Sequence, residues 1–289
     1  MTSKNLAPRT RVGLLHTAVG FLYSFARPLR LATVHDVRLY LASRARDLGA
    51  VTLAAETSRL RSVLRSLVDV GLLRVSPAED VRPPWPPRRE QLLLQEASVR
   101  ALLDAALVET ARNGLGRPAA LRDRAALEIL YALGVRASEL RDLRVVDLNL
   151  ADGTLLVRRA KRGGERMLPL PASTVPHLRC YLGDGRPALV RSGLDEGALL
   201  VTNRGMPLRH SAVQKLVDRV AAKAGLRAHP HAFRRAVATH LARRGVSVLA
   251  VQDLLGHAGL ATTQQYVASE GEDLRRAVDA LDLLREKGG

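Results

Sequence analysis

The feature that most constrains this chain is a run of prolines. Between Ser76 and Arg89 lie Pro77, Pro83, Pro84, Pro86 and Pro87, gathered around Trp85. Proline fixes φ and lacks the amide hydrogen that helices and sheet ladders need, so this stretch reads as an extended linker. The chain must then fold as two bodies, 1–75 and 92–289, joined by 76–91. Its 289 residues agree with that division, at about 150 residues per domain.

The two bodies differ in texture. Before the linker, helical spacing covers about 11–26, 34–48 and 55–72; in the last, Leu60, Val63, Leu64, Leu67 and Val68 form a stripe, with Arg59, Arg61 and Arg65 mostly off it. The smaller body therefore reads as a helical bundle. After the linker, helical patterns at about 98–111 and 121–133 give way over 145–170 to short β-favouring runs. Leu155 to Val157 and Met167 to Leu170 flank Lys161-Arg162-Gly163-Gly164, the pattern of a β-hairpin with a glycine turn. Helical spacing returns at 211–224, 231–243, 248–255 and 273–285. The expected fold class is mainly α (α+β): a helical N-terminal bundle and a mostly helical second domain with a small antiparallel sheet.

Charge narrows the partners. The 45 Lys and Arg against 28 Asp and Glu leave +17, divided as +8 over 1–90 and +9 over 91–289. An excess shared by both bodies suits a two-part clamp on a polyanion, whereas a single binding module would concentrate it. Forty of the 45 cations are Arg, a bias that a GC-rich genome would also produce, but one that suits planar contact with phosphate. Aromatics at 3% argue against a protein that stacks single-stranded bases, and duplex DNA held by its backbone fits better. The lone Cys180 cannot form an internal disulfide, and no Cys/His cluster has zinc-ligand spacing, so neither a metal nor another cofactor is expected. The apolar stretch through Ile129 and Leu130 is too short and too interrupted to span a membrane, and residues 1–8 lack the apolar core of a signal segment. The expected location is a reducing cytoplasm.

Several short motifs have bland readings one at a time. His231-Ala232-Phe233-Arg234 puts a His and an Arg on one helical face, where both can reach one phosphate, but a chain with 40 Arg produces such pairs by chance. In Leu254-Leu255-Gly256-His257 a glycine ends an apolar helix, and His257 alone would complement the helix dipole. Tyr266, nine residues on, would alone be a half-buried amphipathic ring. In Gly134-Val135-Arg136-Ala137-Ser138-Glu139-Leu140, Arg136 opens a helix and Ser138 and Glu139 would serve as capping residues.

Together and in this order, these pieces resemble the tyrosine recombinases, or phage integrases, and their Xer-type members in particular. The Arg136 segment resembles the family's first-arginine box. Glu165-Arg166-Met167-Leu168-Pro169-Leu170 resembles its hairpin return strand, His-x-x-Arg its second box, and Leu-Leu-Gly-His with the later Tyr its third. The resemblance spans about 75–270; the N-terminal bundle matches only in position and helical character. It implies Tyr266 as nucleophile, activated by Arg136, Lys161, His231, Arg234 and His257. Two positions depart from the common pattern: Arg235 stands where a His often follows the second arginine, and Arg162 where a Gly often follows the hairpin lysine. Lys161 gains weight because the chain has only five lysines. The resemblance also implies a homo-tetramer on two DNA sites, a monomer or weak dimer off DNA, and a C-terminal interaction helix at 272–287. In that helix Leu274, Val278, Leu281 and Leu284 form a stripe suited to a neighbouring protomer or to the chain's own domain.

The chemistry explains the residue types. Attack on a phosphodiester builds negative charge on the non-bridging oxygens, which Arg136 and Arg234 can stabilise; losing one such donor costs roughly 3–4 kcal/mol of barrier. His257 can add a hydrogen bond. A tyrosine hydroxyl with a pKa near 10 is about one part in a thousand ionised at pH 7, so it needs a base, and His231 is the candidate. Lys161 can protonate the leaving 5′-oxygen, which arginine cannot do. The implied 3′-phosphotyrosine conserves bond energy, so the expected function is site-specific DNA cleavage and rejoining without ATP or metal. Two rivals remain at this point: a topoisomerase-like nicking and closing enzyme, and an architectural DNA-binding protein.

Overall fold

A computed structural model of the chain describes residues 8–25, 27–83, 92–109, 114–158, 164–191, 193–256 and 271–282. The chain divides into two compact units, Met1–Glu90 and Gln91–Gly289.

The first unit holds α1 (Pro8–Ser24), α2 (Val34–Ala45) and α3 (Ala50–Asp69). A capping box opens α2: the Asp36 carboxylate accepts the Thr33 amide at 2.8 Å while the Thr33 hydroxyl accepts the Asp36 amide. The core joins Phe21, Val37, Tyr40, Leu60 and Leu64 to Leu73, Ala78 and Val81 of the segment after α3. Leu60 and Leu64 of the sequence stripe are fully buried, and Leu67 and Val68 pack at the edge. A buried carboxylate ties the helices together, since Glu56 accepts from the Tyr40 hydroxyl at 2.5 Å and from Arg44 Nε at 3.0 Å.

The second unit contains α4 (Glu96–Ala106), α5 (Gly116–Leu133), α6 (Ala137–Asp142), β1 (Leu148–Asn149), β2 (Thr154–Arg158), β3 (Glu165–Pro169), α7 (Thr174–Cys180), a π turn (Tyr181–Gly185), α8 (Arg186–Leu189), α9 (His210–Lys223), α10 (Pro230–Arg243), α11 (Val248–Leu255) and α12 (Gly271–Asp279). At its centre is α5, buried along most of its length. The charges that interrupt its apolar run are paired inside the protein: Arg122 with Asp123 and Arg124 with Glu128, each at 2.8 Å. The sheet is antiparallel in the order β1-β2-β3, with Val157 opposite Arg166 and Arg158 opposite Glu165. Leu155 and Val157 point into the core, as the period-2 pattern requires.

The mainly helical class with a small antiparallel sheet is as expected from sequence. Two elements are not. The two-residue β1 is too short to carry a periodicity. The helical stretch from Thr174 to Leu189 is hidden in the sequence because Pro176, Gly183, Gly185 and Pro187 read as breakers. There Gly185 is what lets the π turn lie against α5: a Cβ would come within 3.0 Å of Leu121 Cβ and within 2.9 Å of Tyr181. In α12, Ala277 and Val278 are buried, as is Leu281 just beyond it, all in the core of this unit, and Arg275 Nη1 donates to Leu170 O at 3.0 Å. Leu284 lies outside the described residues. Among the described residues no helix is long and apolar enough to cross a membrane.

Candidate active site

Three chain reversals build the site. The first is the end of α5, where Gly134 takes the left-handed conformation (φ 56°, ψ 27°) and passes so close to Leu255 that a Cβ would collide with it. Two residues on, extended Arg136 forms the N-cap of α6, and Glu139 folds back to accept the Arg136 amide at 2.9 Å. The second is the start of α10. His229 Nδ1 accepts the Ala232 amide at 3.1 Å and Pro230 occupies the first turn, which sets His231 and Arg234 one turn apart. The third is α11, opened by Ser247 accepting the Ala250 amide at 3.1 Å and closed by Gly256 in the left-handed region (φ 66°).

These reversals bring three arginines from different elements to the carboxyl end of α11. Arg166 Nε donates to Leu254 O at 3.3 Å, Arg234 Nη2 to Leu255 O at 2.6 Å, and Arg136 Nη2 to Gly256 O at 3.4 Å. Arg234 also donates Nη1 to Gly134 O at 2.7 Å and is buried. The Arg136 side chain stays 44% exposed, so its outer edge is open to an incoming anion. Between Arg136 and Arg166 sits the buried Glu139 carboxylate. Arg136 Nη1 reaches it at 2.9 Å, and Arg166 grips it with both Nη atoms at 3.2 and 3.1 Å. Burial pushes the Glu139 carboxyl up, but the Arg166 fork, the Arg136 amide and both guanidinium charges outweigh it and hold it below the ordinary value. His231 is exposed; partial desolvation and then the charges of Arg234, His229, Arg235 and Arg136 lower its imidazole below the usual 6.5, so it is neutral at pH 7.

Of the site residues read from sequence, Arg136, His231 and Arg234 are thus brought to one corner. Lys161, between β2 and β3 in the chain, and His257 and Tyr266, which follow Gly256, lie outside the described residues. Sequence reasoning misses Glu139 and Arg166 as members of the cluster. Glu139 has a local signal, three residues after an N-cap, but that signal implies only a capping role. Arg166 has none, because its partners are 27 and 88 residues away.

Residues 93–272 match the Phage integrase family. The chain is 37% identical over 257 residues to the tyrosine recombinase XerC of Alcanivorax borkumensis, covering 88% of this chain and 81% of that protein. It is 36% identical over 246 residues to the tyrosine recombinase XerD of Ralstonia nicotianae, covering 83% and 76%. Among solved structures, a lambda integrase dimer bound to a core site shares the fold with a TM-score of 0.68 at 18% identity, over 92% of this chain and 94% of that one. A lambda integrase tetramer bound to a Holliday junction does so with a TM-score of 0.66 at 19% identity, over 92% and 76%.

Proposed function

From the premise that the chain belongs to the phage integrase family of tyrosine recombinases, enzymes of site-specific DNA recombination, we propose how its residues divide the reaction. Tyr266 attacks the scissile phosphorus. A bond forms from its phenolic oxygen to phosphorus as the bond from phosphorus to the 5′-oxygen breaks; His231 takes the phenolic proton and Lys161 delivers one to the leaving oxygen. Arg136 and Arg234 stabilise the charge on the non-bridging oxygens, with His257 adding a hydrogen bond. Attack by a 5′-hydroxyl of another strand on the phosphotyrosine rejoins the DNA.

The observation that carries this reading is the meeting of Arg136 and Arg234 on the last carbonyls of α11, directly ahead of the segment that holds His257 and Tyr266. A neutral His231 beside them supports its role as base. The partner is duplex DNA, held by the helical N-terminal domain and the catalytic domain on either side of the proline-rich linker. Because lambda integrase is solved as a tetramer on a Holliday junction, we take the working assembly to be a homo-tetramer on two duplex sites, dissociating to monomers or weak dimers off DNA and acting in the cytoplasm. The matched relatives are recombinases, which sets aside the nicking and closing and architectural readings.

Tyr266→Phe is the decisive test. On a nicked suicide duplex the variant binds DNA within about threefold of the parent and yields no covalent adduct on a denaturing gel. An undiminished adduct would refute the nucleophile assignment.

A further inference from the structure

The cluster contains one more arginine than the reaction has been assigned. Arg166 on β3 is 10% exposed, and its hydrogen bonds run inward, to both Glu139 oxygens and to Leu254 O, so it is placed to act on the protein and not on a phosphate. Glu139 is also the partner of Arg136. Alone, Glu139 and Arg136 would be a neutral pair, and a neutral pair does little for the extra negative charge of a five-coordinate phosphorus. With Arg166 included, two guanidiniums share one carboxylate and the triad carries a net charge of +1.

We propose that Arg166 is a positioning residue for DNA cleavage: as the counter-charge to Glu139, it leaves the Arg136 guanidinium's charge available to the scissile phosphate and holds Glu139 where it aims Arg136. The inference rests on the assignment of Arg136 to that phosphate. Three features of the geometry favour it. The fork uses both oxygens of Glu139, which fixes the carboxylate plane and with it the direction of the Arg136 contact. Glu139 is 3% exposed, so water cannot replace a missing partner. The same Arg166 also holds Leu254 O, which fixes β3 against the end of α11 where Arg136 and Arg234 are anchored. Of the influences that keep Glu139 ionised, the Arg166 hydrogen bonds are the largest.

The test is single-turnover cleavage by the full chain of three duplexes: the natural phosphodiester, one with a methylphosphonate at the scissile position, and one with a bridging 5′-sulfur. The methylphosphonate lacks the charge that Arg136 is assigned to meet, and the thiolate leaves without needing a proton. Arg166→Gln should cleave the phosphodiester about 10–100-fold more slowly, less than the roughly 10²–10³ lost when a donor to the transition state itself is removed. Its deficit should shrink several-fold on the methylphosphonate, in parallel with Arg136→Ala, and persist on the bridging-sulfur duplex. Rescue by sulfur, in parallel with Lys161→Ala, would mean that Arg166 positions the hairpin lysine, and would overturn the proposal. An equal deficit on all three would overturn it too, leaving a purely structural role. If Arg136→Ala is not rescued by methylphosphonate, the Arg136 assignment fails and takes this inference with it; rescue of Arg136→Ala without rescue of Arg166→Gln sinks the inference alone. Should Arg166→Gln not fold, Arg166→Met, which keeps an apolar stem and loses the charge, carries the same three-substrate comparison.

Discussion

The last two carbonyls of α11 and that of its capping Gly256 would ordinarily turn to water, because a helix leaves its final acceptors unpaired and its carboxyl end partly negative. Here Leu254, Leu255 and Gly256 each receive a different arginine, so one helix end gathers the positive charge that a phosphate would meet. The cost falls on His231. Partly desolvated, and then within the field of Arg234, His229, Arg235 and Arg136, its imidazole binds a proton less readily than a free one. A base must be unprotonated to work, so the acid limb of cleavage should have its midpoint below the ordinary 6.5. In His231→Gln the acid limb should disappear along with most of the rate. Single-turnover cleavage against pH measures both, and a parent whose acid limb has its midpoint above 6.5 would remove His231 as base. Residue by residue, the sequence points to groups whose identity is their signal: Arg136 beside a helix start, and His231 with Arg234 on one helical face, which the structure brings to one corner. It does not disclose Glu139 and Arg166 as partners, since their roles exist only once β3 lies against α6.

Among the elements, α10 carries both His231 and Arg234, and what holds it in place decides whether they point at the same spot. Two turns beyond Arg234, His240 is buried with Nδ1 3.0 Å from the Tyr131 hydroxyl of α5, the two rings packed edge to face. Burial lowers the His240 imidazole; the Glu96 carboxylate opposes this, and Arg244 and Arg243 reinforce it. Burial also pushes the Tyr131 hydroxyl up to about 12, so this pair is neutral at pH 7. A histidine whose folded pKa lies below 6.5 adds stability above that pH, and the gain is lost as pH falls through it, because the unfolded chain takes up the proton first. The melting temperature should therefore drop between pH 7 and 5, and His240→Gln, less stable at pH 7, should drop less. Parallel melting curves for the two proteins would show that His240 is not the group responsible. The elements that frame this contact are legible for a local reason. Pro230 and Gly256 bracket α10 and α11 with unambiguous start and stop chemistry, and the predicted 248–255 coincides with α11. The α7–α8 stretch is not, because the glycine that reads as a breaker is the one that its packing on α5 requires.

Across the whole molecule, the charge of +17 takes on a different meaning once the ion pairs are in view. Many arginines are committed internally: Arg44 to Glu56, Arg122 and Arg219 to Asp123, Arg124 to Glu128, Arg186 to Asp195. No arrangement of 28 carboxylates can neutralise 45 cations, however, and the surplus is +8 in residues 1–90 and +9 in 91–289. Such a surplus opposes compaction by self-repulsion and is relieved when a polyanion binds. If each protomer neutralises roughly 6–10 phosphates, log affinity should fall against log salt with a slope between about −5 and −9, a loss of about 10³–10⁵ between 50 and 200 mM salt. Because both units hold a similar excess, replacing surface arginines in either should flatten the slope by about one unit for each phosphate no longer neutralised. Titration of the full chain with a labelled duplex across salt concentrations reads this directly. A slope near zero would remove the clamp, and a slope altered only by substitutions in 91–289 would leave the N-terminal bundle without a share in DNA binding.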